Sequence, residues 1–284
     1  MSSPATLPNF QIARTMLVNG KPGKLISIRD RGLLYGDGVF RTLFARNGRA
    51  LHSRLHLQKI QHDSARLGIV CPALPQLSAE LDELLVRHPD GIIKLIVTRG
   101  QGTRGYAPHC VEPTHIWDVA STPEYPGEWA TRGIKLRVCE TRLSEQPRLA
   151  GIKHLNRLEN VLAAAEWSDA QIAEGLMLDA AGNVISGTRS NLFIARAGQL
   201  ATPDLSRCGV AGVQRDRVIA YAAAHAIPLQ VRDVSLAEIW AADEVFLVNS
   251  VIGLWPVRAL AERRWSGFPL VRQLQQLDAQ ESHA

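Results

Sequence analysis

Two short runs, Val39 to Ala45 and Arg49 to Leu51, flank the dipeptide Asn47-Gly48. Asparagine and glycine both tolerate the positive φ that a tight hairpin turn demands, so the chain is expected to fold back on itself here. Upstream, Met16 to Val18 reads as a strand ended by the turn pair Asn19-Gly20. Downstream, Ser53 is expected to cap a helix through about Leu67, with Leu57, Ile60 and Leu67 along one side and Gly68 as its stop. A second helix is expected after Pro75, with Leu77, Leu81, Leu84 and Leu85 at helical spacing, and Ile92 to Thr98 and His115 to Ala120 read as strands. Together these elements predict an α+β lobe over residues 15–122, behind a loose tail at 1–14.

Pro123 and Pro126 stiffen the chain and remove backbone donors, which places a linker at 123–130. Beyond it, residues 131–284 read as a larger lobe of mixed β-structure with helices. Strands are expected at Ile134 to Cys139, Leu176 to Leu178, Val184 to Ile185, Leu192 to Ala195, Leu229 to Val231 and Glu244 to Val248. Helices are expected from Asn156, with Leu158, Val161, Leu162, Ala165 and Ile172 as one apolar stripe, and at Val213 to Ala226, from Ser235, and near Leu270 to Leu277.

Several function classes fall away on simple grounds. The most apolar segment, Val245 to Trp255, has 11 residues and carries Asn249 and Ser250, too short to cross a membrane. Cys71, Cys110, Cys139 and Cys208 stand 29 to 69 residues apart, so no CxxC pair exists for a metal or a redox couple, and reduced thiols in the cytoplasm are expected. His56 and His62 are six apart and lie on different helix faces, which excludes a metal site there. No basic run with interleaved aromatics marks a nucleic-acid partner. Lys plus Arg number 32 against 27 for Asp plus Glu, a net charge of +5 that favours anionic ligands through its mean field.

Four segments carry candidate chemistry. Lys153 follows Leu149-Ala-Gly-Ile just before a helix start; desolvated there, its amine would lose its proton readily and attack a carbonyl, although a lysine can equally send its ammonium to solvent past an apolar stem. The turn Gly209-Val-Ala-Gly212 leads into a helix whose first N–H groups, at Val213 and Gln214, can face a phosphate, or it is simply a loop with a helix start. Asn249-Ser250, at a strand end, can add hydrogen bonds to an anion. Thr98 to Tyr106 is a glycine-rich loop in which Arg99 and Arg104 offer guanidinium forks to carboxylates.

Read in order, Asp30 to Phe40, the Thr98 to Tyr106 loop, Gly151-Ile-Lys153-His-Leu-Asn-Arg-Leu-Glu159, Ser190-Asn191-Leu-Phe193, Gly209 to Gly212 and Asp243 to Pro256 resemble the fold-type IV enzymes of pyridoxal 5'-phosphate. Within that group the Gly151 to Glu159 run and the Arg104-Gly-Tyr106 loop are most similar to the 4-amino-4-deoxychorismate lyases. The resemblance implies a two-lobed α+β subunit of the D-amino acid aminotransferase type, with a smaller N-terminal lobe, a larger C-terminal cofactor-binding lobe and the cofactor between them. It implies a homodimer whose active site borrows residues from its partner. It makes Lys153 the catalytic Schiff-base lysine. It sets the cofactor phosphate against the backbone of Val213 and Gln214, against Asn249 and Ser250, and against Lys59 where the family has an arginine. Arg104 and Tyr106 match positions that meet the carboxylate of a small dianionic substrate. Where the family has a glutamate at the pyridine nitrogen, this chain has Ser186, and no acidic residue lies between Asp179 and Asp204 to replace it. A hydroxyl cannot hold the ring nitrogen protonated, so transamination is expected to suffer more than elimination. The implied activity is lysis of 4-amino-4-deoxychorismate to 4-aminobenzoate and pyruvate, a step of folate biosynthesis. A D-amino acid or branched-chain aminotransferase stays open, as does a cofactor-free binding homologue, given Ser186 and Lys59.

Overall fold

The computed structural model describes residues 16–109 and 112–283, and the side chains through 280. The expected tail and Cys110 therefore lie outside the described residues. The first part of the chain runs β1 (Met16–Val18), β2 (Lys21–Pro22), α1 (Arg31–Tyr35), β3 (Gly38–Arg46), β4 (Arg49–Ala50), α2 (Ser53–Arg66), α3 (Leu74–Arg87), β5 (Gly91–Thr98) and β6 (Thr114–Ala120). Its strands form one antiparallel sheet in the order β2-β1-β6-β5-β3-β4, with the expected hairpin pairing Arg46 to Arg49. Asn47 and Gly48 both have positive φ, as the turn requires. Leu57 and Ile60 of α2 and Leu77, Leu81 and Leu84 of α3 bury against Val39, Leu43, Ile93 and Leu95. Alternation along β3 and β5 puts those four on one sheet face, which the two helices cover.

The second part runs α4 (Glu128–Arg132), β7 (Ile134–Leu143), α5 (Leu158–Ala164), β8 (Ile172–Asp179), β9 (Val184–Gly187), β10 (Asn191–Arg196), β11 (Gln199–Pro203), α6 (Val213–Ala224), β12 (Leu229–Arg232), α7 (Leu236–Ala241), β13 (Glu244–Asn249), β14 (Gly253–Leu260), β15 (Arg263–Arg264) and α8 (Pro269–His283). Its mixed sheet has the order β12-β11-β10-β13-β14-β7-β8-β9, with β15 on β14. Strands β10 and β13 are buried at nearly every position, because this sheet is covered on both faces. Ser235 caps α7 through a complete capping box with Glu238.

Two expected helix starts are corrected. Ser53 is already inside α2; the N-cap is His52 in the left-handed conformation, with no side-chain cap bond, because the hairpin return delivers the chain to the helix through that residue. Asn156 does not cap α5 either. Its amide donates to Gly36 O at 3.2 Å, Arg157 takes the N-cap place, and the helix ends at Ala164. The expected apolar stripe breaks accordingly: Leu158, Val161 and Leu162 are exposed, and Ile172 belongs to β8. Among the described residues no helix is long and apolar enough to cross a membrane, and no cluster of three metal-ligating side chains occurs.

Candidate active site

Segment 150–155 bridges β3 of the first sheet and the loop that leads into α6 in the second part of the chain. On one side Phe40 N donates to Lys153 O and Leu155 N to Gly38 O, each at 2.9 Å. On the other, Gly151 N donates to Gly209 O and Ala211 N to Gly151 O, each at 3.0 Å. Lys153 N also donates to Asp63 Oδ2 of α2 at 3.1 Å. The lysine backbone is thus fixed from three elements, and its side chain enters a cavity of about 370 Å³. Its Nζ lies 4.4 Å from the centre of the Phe40 ring.

The environment acts on that amine in one direction. Burial, then the positive charges of Arg41, Arg157 and Lys94, lower its pKa to about 7, with only Asp63 opposing. About half of the amine is therefore neutral at pH 7. Lys153, Arg41, Arg157 and Arg189 all line the cavity, and among the described residues no aspartate or glutamate does. Arg41 is buried and paired with Asp63, leaving its Nε without a partner. His56, also buried and cavity-lining, has both ring nitrogens unpartnered; burial first and then Arg41 lower its pKa to about 3, so it is neutral.

The far wall is the start of α6. Gly212 is its N-cap and supplies no side-chain bond, so the first N–H groups of the helix face the cavity at the positive end of its dipole. The loop must come close to β10: Asn191 Oδ1 accepts from Gly212 N at 3.1 Å, and a Cβ on Gly212 would stand 2.5 Å from that oxygen. Val213 and Gln214 line the cavity, with the Gln214 amide turned away to Asp278 at 2.7 Å. Asn249 and Ser250 line it too. Asn249 Oδ1 accepts from Val251 N and Ile252 N at 2.8 and 3.0 Å, so its side chain shapes the turn. Ser186 is buried on β9, and its hydroxyl bonds to no other described residue.

Three sequence-derived candidates stand elsewhere. Lys59 pairs with Asp216 of α6 and is not part of the cavity wall. Arg104 and Tyr106 lie on an exposed loop outside it, held beside α1 where Arg31 donates to Gly105 O and Tyr106 O at 2.9 Å. Conversely, the wall contains Arg41, Arg157 and Arg189, which carried no expected role, and His56, weighed in the sequence only as a metal ligand. The motif containing Arg157 was in view, but the fold had to show that its guanidinium turns inward. Glu174 was missed for its distance along the chain: buried on β8, it accepts from Thr188 N at 3.0 Å and Ser190 Oγ at 3.1 Å, placing a carboxylate behind the loop that follows Ser186.

Uncapped helical N–H groups, two orphaned imidazole nitrogens and a reactive amine, in a cavity with no carboxylate in its wall, suit a phosphorylated aldehyde. Comparison with known proteins agrees. Residues 38–260 match the family model of amino-transferase class IV. The aminodeoxychorismate lyase of Vibrio harveyi is 36% identical over 263 residues, covering 91% of this chain and 97% of that protein. The crystal structure of 4-amino-4-deoxychorismate lyase from Pseudomonas aeruginosa superposes with a TM-score of 0.91 at 48% identity, over 94% of this chain and 98% of that one. A hypothetical aminotransferase from Mycobacterium tuberculosis, solved in its PLP-bound form, reaches a TM-score of 0.78 over 94% and 98% of the two chains, and at 23% identity that likeness is one of fold. Members of the family bind pyridoxal 5'-phosphate, and this chain, with its fold-type IV architecture, belongs to the class IV aminotransferase family.

Proposed function

We propose that the chain is a pyridoxal-phosphate-dependent lyase that converts 4-amino-4-deoxychorismate to 4-aminobenzoate and pyruvate. One observation carries the reading: a lysine amine with its pKa lowered to about 7 in a cavity whose wall has cations and no carboxylate. The N–H groups of Val213 and Gln214, together with Ser250, would hold the cofactor phosphate, Lys153 its aldehyde, and Ser186 its ring nitrogen. When bound, the cofactor supplies an electron-withdrawing ring that acidifies the C–H beside a condensed amine.

The chain supplies the rest. The positive field of the wall favours a dianion, and the backbone bonds at Lys153 keep Nζ over one point of the cavity. Freed Nζ takes the proton from the ring carbon bearing the substrate amine. The electrons of that C–H bond enter the ring, the neighbouring C–O bond breaks, and the ring becomes aromatic. The departing enolpyruvate takes a proton from Nζ at its methylene carbon and leaves as pyruvate. Such a step depends less on a protonated ring nitrogen than transamination does, which accords with Ser186.

The partner in this reading is a second copy of the chain. Leu33 and Leu34 of α1 and Leu158, Val161 and Leu162 of α5 are exposed, the Asn156 to Gly36 hydrogen bond brings the end of α1 beside the start of α5, and Arg31 of α1 holds the Arg104 to Tyr106 loop. A dimer through that face would offer the loop to the partner's cavity.

The test is direct. Protein supplied with pyridoxal phosphate should absorb in the visible, lose that band on borohydride treatment with the label on Lys153, and release pyruvate from 4-amino-4-deoxychorismate. A colourless protein in excess cofactor would leave a binding homologue. Conversion of the cofactor to pyridoxamine phosphate by amino acids, without pyruvate release, would make it an aminotransferase.

A further inference from the structure

Of the four cations in the cavity wall, three are already committed. Arg41 is paired with Asp63. Arg189 Nε stands 3.5 Å from Glu174 Oε2. Lys153 is largely spoken for by its own covalent chemistry. Arg157 differs: its Nε donates to His154 O at 3.0 Å, Nη1 to Asn160 Oδ1 at 3.4 Å, and Nη2 to His154 Nε2. All three acceptors are neutral, since burial followed by the charge of Arg157 lowers the His154 pKa to about 4. No carboxylate stands within ion-pair distance of Arg157 among the described residues. A guanidinium has five N–H donors, so these bonds orient the group and leave donors to spare. Asn160 in turn donates to Thr188 O at 2.8 Å, anchoring the arrangement to the loop after β9. Holding a half-buried guanidinium with neutral partners costs free energy that a bound anion recovers.

We propose that Arg157 is the receptor for one carboxylate of the dianionic substrate, gripping it with the planar fork that a lysine lacks. The assignment rests on the lyase reading and deepens it: Lys153 engages the substrate amine, and Arg157, four residues on at the N-cap of α5, sets the direction of the ring. It also gives this subunit an anion-binding group inside its own cavity, which Arg104 does not provide.

Each product of the proposed reaction keeps one substrate carboxylate, so calorimetric titration of the cofactor-loaded protein with 4-aminobenzoate and with pyruvate, each beside its uncharged amide, tests the claim. In Arg157→Gln the affinity for one of the two acids should fall roughly 10- to 100-fold while its amide binds unchanged. Arg157→Lys, which keeps the charge and loses the fork, should fall between, and serves in its place if the glutamine variant does not fold. Equal losses for acid and amide would make Arg157 structural, and unchanged affinity for both acids would remove it from the site; either overturns the proposal. Wild-type protein that carries cofactor on Lys153 but binds neither product would overturn the lyase reading and this assignment together.

Discussion

Replacing Lys153 by methionine should stabilise the protein without cofactor, and do so only on one side of a defined pH window. The amine falls from 10.5 to about 7 on folding, chiefly by burial and then by the charges of Arg41, Arg157 and Lys94. At about 1.4 kcal/mol per unit, that is a cost of about 5 kcal/mol below pH 7. The sign follows from proton counting: between pH 7 and 10.5 the unfolded chain holds a proton that the folded chain has shed, so wild-type stability rises with pH through the window. Methionine removes the penalty, so its advantage should be largest at pH 6, with about 5 kcal/mol as a ceiling, and should shrink toward zero by pH 10.5. Urea denaturation of the two proteins at both pH values measures it. Reductive labelling of wild-type apoprotein gives an independent readout: at pH 8 the neutral fraction of Lys153 exceeds that of an ordinary lysine roughly 300-fold, so Lys153 should react first, with a midpoint near pH 7. A midpoint above 9, or a methionine advantage equal at both pH values, refutes the account of this amine and removes the main support for the activity.

Asp63→Asn should cost about 3–5 kcal/mol in urea denaturation, because it leaves Arg41 charged and buried without its partner, and should lower the labelling midpoint of Lys153 further; a loss under 1 kcal/mol would mean that Arg41 reaches water. Ser186→Glu should raise half-transamination of amino acids more than pyruvate release, read from single-turnover spectra; equal effects on both would show that the ring nitrogen is not the controlling group. Lys59→Arg should tighten pyridoxal phosphate binding several-fold in equilibrium dialysis, since a guanidinium can meet both Asp216 and a phosphate where the ammonium of Lys59 is spent on Asp216; unchanged affinity would place residue 59 outside the phosphate site.

Much of the local structure was readable because the signals are local. Asn47-Gly48 dictates its hairpin, Leu77 to Leu85 their helix face, and Ser235 the start of its helix, whatever the rest of the chain does. Strands β11 and β14 escaped notice because their core-facing residues are interrupted by Thr202, Pro203, Pro256 and Arg258. The α5 stripe misled for a related reason: helical periodicity reports an apolar face and is silent on whether the rest of the fold covers it.

Lys153 could be singled out from its neighbours in sequence, and the Gly209 to Gly212 turn from its glycines and the helix behind it, because covalent reactivity and a free helix end depend on residues close together along the chain. What surrounds the amine could not. Asp63 and His56 lie on α2, 90 and 97 residues before Lys153, and Arg41, Glu174 and Arg189 come from two strands and a loop elsewhere in the chain. Only the packing of β3, α2 and the loop before α6 about segment 150–155 puts Arg41, His56 and Arg189 in the wall of one cavity, with Asp63 behind Lys153 and Glu174 behind the loop after β9. The sequence determined which groups were available to react; the tertiary structure decided their charge states and which of them face a ligand, since desolvation and Coulomb interaction depend on distance in space and not on separation along the chain.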